Sequence, residues 1–185
     1  MKIAKQLKDS NVCEYLLYMW QVEDTIRAFG CDIERIQKEY IPRFNYTSDE
    51  AKLEAEWYDD LIRMMHEEVC VESGHLQINK GTFLLVVDMH NELLKSPKHS
   101  FYSAAYYKAL PYIVELRSRS GDKNESEQEV GDLETCFNAL YGIMLLRLQG
   151  KPITGGTQTA VTAISHLLAL LADAYKKEKL GELEL

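Results

Sequence analysis

Apolar residues recur along this chain at steps of three and four, a period that helices satisfy and strands do not. The clearest run is Leu133, Cys136, Phe137, Leu140, Tyr141, Met144, Leu145 and Leu148. Ser126 and Glu129 have capping-box spacing at its start, and Gly150, Lys151 and Pro152 stop it. A second stripe, Val161, Ile164, Leu168, Leu171 and Tyr175, follows the turn from Thr154 to Thr157. Upstream, Val12, Tyr15, Leu16, Met19, Val22 and Ile26 form another stripe that ends near Gly30. Asp32 to Tyr40 reads as a short helix closed by Pro42. Thr47 and Glu50 form a capping box for a helix expected over 49–73, with Gly74 as its C-cap. Ser100 can cap a tyrosine-rich helix from Phe101 to about Ser118, which Pro111 should kink. No segment supports a strand.

The helix expected over 76–96 is apolar almost all round: Phe83, Leu84, Leu85, Val86, Val87, Met89, Leu93 and Leu94 leave only a narrow polar strip of Gln77, Gly81, Asp88, Glu92 and Lys95. Such a helix is covered by neighbours or by a second subunit. The expected fold is therefore all-α. It is a single-domain bundle of six to seven helices spanning 1–185, built around the buried 76–96 helix, with a frayed tail over 177–185.

With 185 residues the chain can bury a core without disulfides or structural metal. Its net charge of −8 opposes nucleic-acid binding, which needs a concentrated basic face. No run approaches 18 uncharged apolar residues, so no membrane span is expected. Cys13, Cys31, Cys70 and Cys136 lack zinc-site or disulfide-framework spacing and read as small core residues. A reduced, cytoplasmic, soluble protein is expected.

The candidate site residues follow from costly placements. On the 49–73 helix, Glu54, Glu68 and Glu72 project from the apolar side. A buried carboxylate costs several kcal/mol unless it is paired, hydrogen-bonded or bound to a cation. Glu54 stands apart and suggests a separate ion pair. Glu68 and Glu72 sit one turn apart, as do Asp88 and Glu92 on the next helix. Two such pairs can converge on Mg²⁺. That layout is loosely similar to the all-α nucleoside triphosphate pyrophosphohydrolases, which would imply a Mg²⁺-dependent hydrolase. The spacing departs from that family's pattern, however, and no phosphate cradle is visible. The plainer alternative pairs Glu68 and Glu72 with arginines such as Arg27 or Arg117.

Further candidates for a ligand site are Trp20, Glu23 and Arg27, with Trp20 stacking and Arg27 binding an anion. The plainer alternative is a Glu23–Arg27 surface staple. His90 lies on an apolar face, whereas His75 after Gly74 can bond helix-end carbonyls. Tyr102, Tyr106 and Tyr112 share a face with Ala105, Ala109 and Ile113, which suits a pocket or a subunit interface.

Four strings carry a resemblance: EYLLYMWQVEDTIRAFG (14–30), GHLQINK (74–80), KSPKHSFYSAAYYKALPYIVELRSRSGDK (95–123) and ETCFNALYGIMLLRLQ (134–149). They resemble a family of bacterial proteins of unknown function, of the bacteroidetes type and about this length. The resemblance covers nearly the whole chain and implies a stand-alone, cytoplasmic, all-helical protein with no assigned activity. The leading expectation is a non-enzymatic protein that binds a partner or small ligand, as a homodimer, without a cofactor. The Mg²⁺-dependent hydrolase is the alternative.

Overall fold

The computed structural model describes residues 1–120 and 128–185, and among these residues the fold is all-α with no strand. The helices are α1 (Lys2–Ser10), α2 (Val12–Ala28), α3 (Ile33–Arg35), α4 (Ser48–Glu67), α5 (Gln77–Lys95), α6 (Ser100–Ser120), α7 (Gln128–Leu148) and α8 (Gly155–Lys179). Ser126, half of the capping box expected with Glu129, lies outside the described residues. The chain divides into two compact units, Met1–Ser10 with Glu14–Phe83, and Asn11–Cys13 with Leu84–Leu185.

In the first unit, Leu16, Ile26, Ile36, Tyr58, Met65 and Leu76 form the core. Asp32 caps α3 by accepting from the Glu34 and Arg35 N–H groups, and the chain then tightens through a π-turn at Ile36–Tyr40 and a 3₁₀ turn at Ile41–Arg43. The Thr47–Glu50 capping box forms at α4 as expected: Glu50 N–H donates to Thr47 Oγ1 at 3.3 Å and Thr47 N–H to Glu50 Oε2 at 3.0 Å. Glu54 is buried and pairs with the Met1 amino group, apart from the other glutamates as expected.

α4 does not run to Ser73; it stops at Glu67. Val69 turns left-handed at φ 55°. Its N–H donates to the His66 carbonyl, and Cys70 N–H reaches the Met65 carbonyl at 3.0 Å. This is a Schellman ending, and it buries Cys70 together with Met65. Gly30, Gly150 and Gly181 fill the same position at the ends of α2, α7 and α8, with φ of 72°, 66° and 70°. Because α4 uses a valine there, the sequence shows no stop signal.

In the second unit, α6 packs on α7 and α8. Tyr102, Ala105, Ala109 and Ile113 are buried inside this unit, with Phe137, Leu133, Ile164 and Leu167 also in its core. The tyrosine–alanine face is therefore spent within the unit. Pro111 lies inside α6 and the helix continues through it. Along α5, Val86, Val87, Met89, His90 and Leu93 are buried, but Leu84 and Leu85 are 53% and 54% exposed. They widen the outward strip of Gly81, Asp88 and Glu92, so the helix is not covered all round. α8 holds its last turns to Lys179, three residues into the segment expected to fray.

Cys13, Cys70 and Cys136 are buried thiols, and burial pushes Cys136 up to about 12. No helix among the described residues is long and apolar enough to cross a membrane.

Candidate functional site

Trp20, Glu23 and Arg27 follow one another at helical steps along α2, and all three engage the 70–79 segment of the first unit. Glu23 is the most costly placement in that unit: its side chain is 0% exposed. Three donors surround it. Leu76 N–H donates to Oε1 at 3.0 Å, Asn79 Nδ2 donates to Oε1 at 2.7 Å, and His75 Nδ1 lies 2.5 Å from Oε2. Paired in this way, a buried carboxylate is tolerable. Trp20 stacks on the His75 ring at 4.4 Å between centroids and 15° between planes. The His75 side chain stays 34% exposed.

Arg27 does not staple Glu23. Its guanidinium donates to the carbonyls of Val71 (3.2 Å), Cys70 (3.0 Å) and Gly74, and to Asp24 at 2.8 Å. The planar fork thus gathers the carbonyls of a turn that makes few bonds of its own, and is not available to bind an anion. Glu68, the C-cap residue of α4, accepts from Gln77 N–H at 2.6 Å. Glu23 and Glu68 therefore both place carboxylates at the start of α5, where the helix dipole favours negative charge. Glu72 is exposed in the turn, so Glu68 and Glu72 do not share a helix face. Asp88 and Glu92 are exposed on the part of α5 that belongs to the second unit. Among the described residues no group of three His, Cys, Asp or Glu side chains is placed to hold a metal ion.

The buried network continues to a cleft. Tyr15 hydroxyl donates to Asn79 Oδ1 in a long bond of 3.5 Å. Burial and the Glu23 charge raise the Tyr15 phenol above its ordinary value. The Tyr15 ring also lines a cleft of about 320 Å³, with Met19, Trp57, Leu61 and Met64 as further walls. Chemically, a neutral His75 that donates Nδ1–H to Glu23 keeps its lone pair on Nε2. Such a ring can act as a base or a ligand. Here it also anchors Glu23, which through Asn79 supports the Tyr15 wall.

The other sequence candidates meet in the second unit. His90 Nδ1 is 2.6 Å from Tyr102 hydroxyl, and the Tyr106 ring stands edge-on to His90. Tyr106 hydroxyl donates to Asp132 Oδ2 at 2.6 Å, and Asp132 pairs with Arg117. Arg117 thus serves Asp132. Burial holds His90 down at about 4 and raises Tyr102 above its ordinary value. His90, Tyr102 and Asp132 are buried, each with a polar partner, and Tyr106 and Arg117 are half-buried beside them.

Sequence reasoning missed Asp132, and it assigned His75 to helix-end carbonyls where the partner is Glu23. Asp132 had a signal, since it lies four residues before Cys136 on the apolar line of α7. His75 had none, because its partner is 52 residues away.

Fold and site together define an all-helical protein whose first unit is fastened by a buried glutamate–histidine pair beside an apolar cleft. The chain belongs to the family described as Domain of unknown function (DUF4924), whose family model matches residues 1–182. That agrees with the length and coverage implied by the four strings. No curated protein and no solved structure matches the chain.

Proposed function

We propose that this is a cytoplasmic bacterial protein that binds a small ligand without transforming it, in the cleft lined by Tyr15. One observation carries the proposal. A wall residue of the cleft is tied through Asn79 to Glu23, a carboxylate buried at considerable cost. Ligand sites are mostly apolar, preformed and held by rigid neighbours, and this wall has those properties. The four free cysteines accord with a reducing compartment. A second copy of the chain belongs to the same proposal, since Leu84 and Leu85 leave apolar surface on α5 for it to cover.

The test is a thermal-shift panel of apolar and amphipathic small molecules, run beside Mg²⁺ or Mn²⁺ with nucleotides. Apolar ligands should raise the melting midpoint, by mass action on the folded state. They should also change the emission of Trp57, and Trp57→Phe should remove that change. Flat responses to every apolar ligand, together with metal-dependent nucleotide turnover, would replace the proposal with a hydrolase using Glu68, Glu72, Asp88 and Glu92. A monomer mass by light scattering at high concentration would remove the dimer.

A further inference from the structure

We infer that the cleft takes an aliphatic monocarboxylate, its chain along the apolar walls and its carboxylate at Lys5 and Lys8. The inference rests on the cleft being the ligand site. Met19, Trp57, Leu61 and Met64 offer carbon and sulfur surface, the indole N–H of Trp57 being the one polar group among these four side chains. The amino group of Met1, also a lining residue, is taken by Glu54. The Tyr15 hydroxyl is engaged by Asn79. A ligand body with several polar groups would lose its water there and gain little in return. Two methionine walls can adapt to a flexible chain. A volume of about 320 Å³ lies at the lower end of ligand cavities, which suits one chain better than two.

The head group follows from the rim. Lys5 and Lys8 are exposed, one turn apart on α1, and both line the cleft. The Lys8 ammonium already lies 5.4 Å from the centroid of the Tyr15 ring, over a cleft wall. Lys2, the next lysine of α1, is engaged by Glu50 at 3.2 Å. The acidic residue on the rim is Asp60, and Arg63 pairs with it. In a chain of net charge −8, the mouth of this cleft is therefore locally cationic. Two adjacent ammonium groups above an apolar slot match an anion carried at one end of an alkyl chain.

The experiment titrates the full chain with decanoate, decanol, decyl phosphate and decyltrimethylammonium, all below their micellar concentrations, by calorimetry and by Trp57 emission. Decanoate should bind about tenfold more tightly than decanol at low salt, with the advantage shrinking as salt rises. Lys5→Gln with Lys8→Gln changes only exposed side chains and should remove that advantage while leaving decanol binding intact. Met64→Glu, at a half-buried wall, should abolish decanoate binding in a chain whose helix content is unchanged. Equal affinity for decanol and decanoate, insensitive to the lysine changes, would overturn the carboxylate while leaving the cleft as a ligand site. Tighter binding of decyl phosphate or of the ammonium would overturn it too. No binding of any of the four would remove both the inference and the ligand site beneath it.

Discussion

The imidazole of His75 lies face to face with the indole of Trp20, 4.4 Å between centroids, and its Nδ1 is held 2.5 Å from Glu23. The ring is fixed twice, by stacking and by a charge-assisted bond. Glu23→Gln keeps the shape but carries one acceptor oxygen and a pair of N–H donors. The amide oxygen can keep Leu76 N–H and Asn79, but its NH2 then faces His75 Nδ1, so the charge-assisted bond is lost and the imidazole must change tautomer to accept. We expect a loss of about 2–4 kcal/mol in urea unfolding. A Glu23→Gln protein as stable as the parent would show that these donors do not hold the carboxylate.

Arg27 serves three carbonyls of the 70–74 turn at once. A lysine has the charge but not the fork, and it cannot reach all three. Arg27→Lys should cost roughly 1–3 kcal/mol. Amide hydrogen exchange should quicken over 70–76 while the middle of α4 keeps its protection. Uniform quickening across the first unit would contradict this local role.

Val69 occupies a left-handed position that three other helix ends give to glycine, and it is 89% exposed. For a β-branched residue that conformation costs about 1–2 kcal/mol. Glycine removes the strain but gives back roughly 0.5–1 kcal/mol as unfolded-state entropy. Val69→Gly should therefore stabilise the protein by about 0.5–1 kcal/mol, read as a higher melting midpoint. A lower midpoint would mean that the valine makes an interaction its exposure conceals.

His90 is 2% exposed, and burial lowers it from 6.5 to about 4. The unfolded chain takes up this proton near pH 6.5, whereas the folded protein refuses it until about pH 4. Its contribution is present in full above pH 6.5 and is lost as the pH falls toward 4. At ~1.4 kcal/mol per pH unit the loss is about 3 kcal/mol. Unfolding free energies measured from pH 4 to 7 should slope accordingly, and His90→Leu should flatten that part of the curve whatever its absolute stability. An unchanged slope in the variant would assign the acid sensitivity to other groups.

Much of the fold is legible locally. The stripes of α7 and α8, the Thr47–Glu50 box and the glycine endings at 30 and 150 depend on residues within one or two turns of each other. The buried side of α6 is legible for the same reason, although its neighbours turned out to be α7 and α8 of its own unit rather than a second subunit. α1 escaped notice because nine residues with three lysines give too short a stripe to read. The end of α4 escaped because Val69 takes a conformation that its chemistry disfavours, held there by the burial of Cys70 and Met65. Misplacing that end by six residues is what put Glu68 and Glu72 on one face.

By itself the sequence determined that this chain is helical and where most helices begin, because period and capping are short-range physics. It also marked Trp20, Glu23 and Arg27 as a line along α2. Only the tertiary structure decided which carboxylates pay for burial. Glu23 and Asp132 sit inside, and Glu72, Asp88 and Glu92 face water. The cost of a buried charge depends on the donors around it, and those of Glu23 come from more than 50 residues away along the chain.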